Sequence, residues 1–165
     1  MDKQQTDVTL HSNKLKTVES FKTSLVSTGN VKQALDFPSM AVAIKALGPE
    51  EVILVALDEL RKGVNAFNVK QNMNEDQIEM FIGDFLEDYK HESIADLKIC
   101  LKNARAGKYG SHYNSIDQLT VMGWFKQYLE EKAIAREQRH KNQEKFTFPK
   151  EMVNPIKQAL KDERS

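Results

Sequence analysis

Between Leu97 and Ile116 the chain carries four basic residues, Lys98, Lys102, Arg105 and Lys108, and no acidic one. Lys98, Lys102 and Arg105 stand three or four positions apart and therefore share one helical face. The stretch runs into Gly107-Lys108-Tyr109-Gly110-Ser111-His112-Tyr113-Asn114, where two glycines permit positive φ and let backbone approach a ligand closely. Tyr109 and Tyr113 add flat amphipathic faces. A helix expected to begin near Ile116 would turn free N–H groups toward this loop, and such groups suit phosphate. Basic side chains interleaved with aromatic ones suit single-stranded nucleic acid, since charge meets the phosphates and rings stack on the bases. The candidate nucleic-acid-binding set is Lys98, Lys102, Arg105, Lys108, Tyr109 and Tyr113. The plain alternative is that the glycines only make the turn, the tyrosines pack onto Trp124 and Phe125, and the lysines form a solvated face.

A second candidate is Phe146-Thr147-Phe148-Pro149, which follows a charged run from Glu130 to Lys145. Two phenylalanines beside a proline could insert into a partner's groove, so Phe146 and Phe148 are the candidate protein-binding residues. They could equally fold back onto this chain's own core.

Other chemistry lacks its pattern. Eight acidic residues from Glu75 to Asp96 stand against Lys90 alone, but without EF-hand spacing, and read as a solvated helix face. His11, His91, His112 and His140 are scattered and advertise no zinc site, so no metal or cofactor is expected. The single cysteine, Cys100, falls on an apolar helix face and is expected in the core. No nucleophile elbow or P-loop occurs, and the expectation is a protein without catalytic residues. The linker of about eight residues after Arg105 is too long for a helix-turn-helix, which uses three or four.

Composition sets the frame for these residues. Lys plus Arg and Asp plus Glu both number 24, so any electrostatic attraction must come from local clustering. At 40% hydrophobic and 29% charged the 165 residues can build an ordinary globular core. One cysteine cannot make an internal disulfide, no run approaches the ~20 apolar residues of a membrane span, and the first residues lack a secretory apolar stretch. These features lead to the expectation of a cytoplasmic protein without membrane contact.

The elements that must position the candidates are helices. Val18, Phe21 and Leu25 recur with Leu15 at helical spacing and stop at Gly29-Asn30. A short segment from Val31 ends at Phe37-Pro38, and Ser39 caps a brief helix closed by Gly48-Pro49. Pro49, with Glu50 and Glu51, opens a helix whose stripe is Ile53, Ala56, Leu57, Leu60, Val64 and Phe67, with Gly63 as a weak point. Capping boxes Asn74/Gln77, Ser93/Asp96 and Ser115/Gln118 open three more helices. The last is apolar over Leu119 to Leu129 and charged beyond Glu130, and a final short helix is expected from Lys150 to Asp162.

The stretch Asn68 to Arg136 also carries a resemblance. It contains Asn68-Val69-Lys70, Met73, Gln77-Ile78, Ile94-Ala95-Asp96-Leu97, Gly107-Lys108-Tyr109-Gly110, Tyr113, Ile116-Asp117, Trp124 and Tyr128. In these it resembles a family of small, functionally uncharacterised helical proteins from phages and mobile elements of Bacteroides-type bacteria. The resemblance implies an all-helical fold, a mobile-element setting in a bacterial host cell and an association with replication. It implies no activity and no catalytic residue. Ser111-His112 stands where the pattern would carry a basic residue, which makes this loop less cationic.

The expected fold is all-α, a compact bundle of about six or seven helices with a long charged C-terminal helical extension. Its parts are a flexible N-terminus over 1–13, a helical domain over 14–130, and the extension with its short C-terminal helix over 131–165. The expected function is that of a non-enzymatic accessory protein of a phage or mobile element, an adaptor touching DNA or a replicative helicase. The alternative is a structural or virion-associated protein acting through protein–protein contacts.

Overall fold

The computed structural model describes residues 17–111 and 114–146, without the side chains of Lys145 and Phe146. Seven α-helices follow one another among these residues: α1 Val18–Ser27, α2 Val31–Ala34, α3 Met40–Leu47, α4 Pro49–Asn65, α5 Glu75–Tyr89, α6 Ile94–Arg105 and α7 Gln118–Phe146. The fold is all-α. The expected flexible terminus over 1–13 and the short helix from Lys150 lie outside the described residues.

Local chemistry explains most of the boundaries. Thr17 caps α1 in a capping box with Ser20, and Asn30 accepts the Gln33 N–H at the start of α2. Ser39 accepts the Val42 N–H, and Pro49 occupies the first turn of α4, where its missing N–H costs nothing. The capping boxes Asn74/Gln77 and Ser93/Asp96 are both formed.

The third expected box is not. Gln71 and Ser115 form an isolated parallel bridge, in which Gln71 N–H donates to Asn114 O at 3.1 Å and Ile116 N–H donates to Gln71 O at 3.0 Å. This pairing holds Ser115 and Ile116 extended, so helix cannot begin there. Asp117 takes the capping role instead, accepting the Thr120 N–H at 2.8 Å and the Thr120 hydroxyl at 2.6 Å.

The core lies where α4, α5, α6 and the first half of α7 meet, with Phe21 and Leu25 of α1 closing one side. An aromatic seam runs through it: Phe85 meets Phe125 edge-on at 4.9 Å, Tyr89 meets the same ring at 5.1 Å, and Trp124 stacks on Phe67 at 5.1 Å. Phe85, Trp124 and Phe125 are buried and each contributes on the order of 1.5–3 kcal/mol of transfer free energy, while Phe67 and Tyr89 are only partly covered. The buried face of α4 is turned from the expected stripe. Val52, Val55, Ala56, Leu60 and Val64 are buried, while Ile53 and Leu57 are only partly covered. The reason is that α3, α5 and α6 all pack on α4, so its apolar arc must be wide.

Gly63 is a packing position rather than a weak point. A Cβ built there would lie 2.3 Å from Leu101 Cδ1 and 3.2 Å from Leu101 Cβ, so only glycine lets α4 and α6 come this close. The charged half of α7 also leaves the core later than expected. Lys132 and Ala135 are buried, and Arg139 reaches Asp36 beside α2 at 2.5 Å. Beyond Ala135 the side chains through Glu144 are exposed.

Candidate functional site

The close crossing of α4 and α6 at Gly63 leaves a cleft of about 180 Å³ at its edge. Glu59, Lys62 and Gly63 line it from α4, and Lys98, Leu101, Lys102 and Arg105 from α6, with Ala66 beside them. Three of the four basic residues singled out in the sequence therefore meet in one cavity. Lys62 joins them from a helix that carried no such signal. Four cations face one anion, Glu59, in a molecule whose total charge is zero. Glycine and alanine leave the floor low, and Leu101 makes it apolar.

The cations differ in how they are engaged. Lys98 Nζ donates to the carbonyls of Leu25 at 2.5 Å, Thr28 at 3.0 Å and Val26 at 3.1 Å, all at the end of α1. Burial pushes this ammonium below its ordinary value; Glu59 opposes the shift and Lys102 adds to it. Lys102 Nζ makes one such bond, to Gly29 O at 2.9 Å. Lys62 pairs with Asp58 at 2.5 Å, and that hydrogen bond raises its value. Arg105 is exposed on the last turn of α6 and has no hydrogen bond or ion pair among the described residues. It is the cation most ready to take an external anion.

The loop after α6 does not join this cleft. Gly107 and Gly110 adopt φ of 79° and 99°, the left-handed region where glycine is favoured, so the first function of both glycines is to close α6 and turn the chain. Lys108 turns toward α7 and pairs with Glu131 at 2.5 Å. Tyr109 is buried at 9% exposure, its hydroxyl accepting from the Asn103 side chain at 3.4 Å. Burial pushes its phenol up, and the ring offers no open face for a base. The expectation of an exposed Tyr109 platform is corrected accordingly: the loop is too tightly folded on α7 to present it. Tyr113 lies outside the described residues, as do Phe148 and the side chain of Phe146.

The start of α7 is likewise no anion seat. The Asp117 carboxylate already occupies it and is held below its usual range by the Thr120 hydroxyl and then the Thr120 N–H.

A second cluster of ionisable groups is fully internal. Asp96 Oδ2 accepts from Ser93 N–H at 2.8 Å, the Ser93 hydroxyl at 2.7 Å and Lys132 Nζ at 2.6 Å, while Asp96 Oδ1 accepts from the Tyr128 hydroxyl at 2.7 Å. Lys132 also contacts Glu92. Asp96 and Tyr128 are both 0% exposed, so no substrate reaches them; burial, followed by the Asp96 charge, pushes the Tyr128 phenol up. Asp96 fills the capping role that its spacing from Ser93 predicts. Its pairing with Lys132 has no local signal in the sequence. Among the described residues, no group of His, Cys, Asp and Glu is arranged to hold a metal ion, and no helix is long and apolar enough to cross a membrane.

A third feature is a groove of about 560 Å³ between the α2 region and the outer half of α7, lined by Lys32, Leu35, Asp36, Ala135, Gln138 and Arg139 with Asn142 and Gln143. Compared with family models, curated proteins and solved structures, the chain shows no match.

Proposed function

We propose that this is a non-enzymatic, nucleic-acid-binding accessory protein that seats a backbone phosphate in the cleft between α4 and α6. The observation that carries the reading is the convergence of Lys62, Lys98, Lys102 and Arg105 on one cavity of about 180 Å³. The lining, four cations and no aromatic ring, suits a phosphate group rather than a base. With Tyr109 buried, the described residues supply charge without a stacking surface, so binding is expected to be sequence-independent and salt-sensitive. Zero net charge gives no long-range steering, and affinity in the range of non-specific binders, roughly 10⁻⁴ to 10⁻⁶ M, follows. The mobile-element setting and a role beside replication come from the resemblance of residues 68–136 and belong to this proposal.

Fluorescence anisotropy with single- and double-stranded DNA at low and moderate salt tests it. Arg105→Ala and Lys102→Ala are expected to weaken binding and lower the salt slope by about one each. Lys108→Ala, whose charge is spent on Glu131, is expected to bind like the unaltered protein. No binding at low salt sinks the reading.

A second reading, a structural or virion-associated interaction protein, is supported by the groove of about 560 Å³ along α7 and by Ile134, 57% exposed on the same helix. Self-association or retention on particles without DNA binding favours it.

A further inference from the structure

The C-terminal end of α1 rests on the cations of the cleft. A helix ends with four carbonyls that lack helical partners and with a partial negative charge. The last turn of α1 contains no basic residue to meet them. Part of this need is met locally, where the Thr28 N–H and hydroxyl and the Ser27 hydroxyl all donate to Ser24 O. Lys98 takes the carbonyls of Leu25, which the Thr28 N–H also meets, of Val26 and of the cap residue Thr28, and Lys102 takes that of Gly29 just beyond the cap, all 70 to 73 positions away. The same two lysines line the cleft. One pair of cations therefore faces two sets of acceptors, the carbonyls of α1 on one side and the cavity on the other.

Resting on the phosphate-seat reading above, we propose that α1 is a strap that competes with the bound phosphate for Lys98 and Lys102, so that ligand binding loosens the end of α1. Both acceptors bond a charged ammonium, but a phosphate carries formal negative charge and a carbonyl only a partial one, so the phosphate is the stronger competitor for each lysine. The two lysines are unequally committed. Lys102 holds only Gly29 O, just beyond α1, and exchanges first, while Lys98 holds the three carbonyls at the end of the helix, and its partial turn toward the phosphate is the step that loosens the last turn. Arg105, which has no competing partner among the described residues, makes the first contact. The apolar anchors Phe21 and Leu25, 1% and 2% exposed, keep the body of α1 docked while its last turn alone frays.

The coupling runs both ways, as linkage requires: what loosens the strap must tighten the ligand by the same factor. Val26 is 77% exposed, so Val26→Gly weakens the last turn through backbone freedom with little loss of packing, and Val26→Ala strengthens it. The experiment uses the full chain and a single-stranded oligodeoxynucleotide of about 20 bases, longer than one typical single-strand binding site. Hydrogen exchange is read over residues 18–29 with and without DNA, and anisotropy gives the affinity of the three proteins, each first shown to be folded by circular dichroism. Faster exchange in the last turn of α1 on adding DNA, with Val26→Gly binding about two- to threefold tighter and Val26→Ala weaker, supports the strap. DNA binding with unchanged or slower exchange over 18–29, and equal affinity in the three proteins, overturns the strap and leaves the phosphate seat standing. Absence of DNA binding by the unaltered protein overturns the seat, and the strap falls with it. If a variant fails to fold, the exchange measurement on the unaltered protein still separates these outcomes.

Discussion

Lys132 Nζ sits 2.6 Å from Asp96 Oδ2 across 36 positions of sequence, with both side chains buried. The pair ties the charged half of α7 to the first turn of α6, and Ser93, Tyr128 and Glu92 complete its hydrogen bonding. Such a network says little about net stability against an apolar core, but it is costly to break from one side. It also fixes the rotation and register of α7, because a slip of one residue would carry Lys132 away from both carboxylates.

Lys132→Met is therefore expected to destabilise the protein by about 3–5 kcal/mol, since it leaves Asp96 charged and buried without its cation. Adding Asp96→Asn to that variant is expected to cost far less than Asp96→Asn alone, because the uncompensated charge goes with it. Urea unfolding of the two single variants and the double one checks this, and additive losses would show that the two groups do not act as a pair.

At the helix crossing, Gly63→Ala sets two effects against each other. Alanine gains about 1 kcal/mol of intrinsic helix preference. The new Cβ, however, meets Leu101 at its Cβ and Cγ as well as at the flexible Cδ1, so the backbones must part. A net loss of about 1–3 kcal/mol is expected, together with a changed cleft. Leu101→Ala should cost less in the Gly63→Ala background than alone, and thermal or urea melts of the set measure that coupling.

Asp117 gives the acid side of the stability curve a traceable component. Its folded value lies below the ordinary 3.8, so the folded state prefers the carboxylate more than the unfolded chain does. The stabilisation is present above 3.8 and is lost as pH falls through the lowered folded value. Asp117→Asn keeps a capping oxygen without the charge, and is expected to flatten that part of the profile. Asp117→Ala should cost about 0.5–2 kcal/mol at neutral pH. Chemical denaturation from strongly acidic to neutral pH distinguishes the three proteins.

Cys100 is buried in the core face of α6, and burial pushes its thiol well above the ordinary range. It is expected to be inert to a thiol reagent in the native protein and to react at once in denaturant. Labelling rates under the two conditions check it; rapid native labelling would mean that α6 opens locally.

The sequence by itself determined where most helices begin and end. Ser39, Asn74 with Gln77 and Ser93 with Asp96 act through bonds within the first turn, and Pro49 acts through its own ring, so their meaning is complete locally. Ile78, Phe81, Ile82, Phe85, Leu86 and Tyr89 recur at helical spacing and mark one face of α5; the first four are buried and the last two partly covered, since that helix packs a single stripe. The capping expectation failed at Ser115, where a distant loop supplied Gln71 and kept the chain extended until Asp117.

Tertiary structure alone decided what the charged and aromatic side chains do. Spacing put Lys98, Lys102 and Arg105 on one face, but the end of α1 took the first two ammonium groups and left Arg105 open. It put Lys108 and Tyr109 beside them, but α7 drew both away, one to Glu131 and one into the core. It carried no sign of Lys62 as a partner to α6 or of Lys132 as a partner to Asp96. The physical reason is range. A cap or an apolar stripe is fixed by the geometry of one helix, whereas the partner of a long flexible cation depends on how close two helices come. Here that distance was set by a glycine whose absent side chain lets Leu101 in.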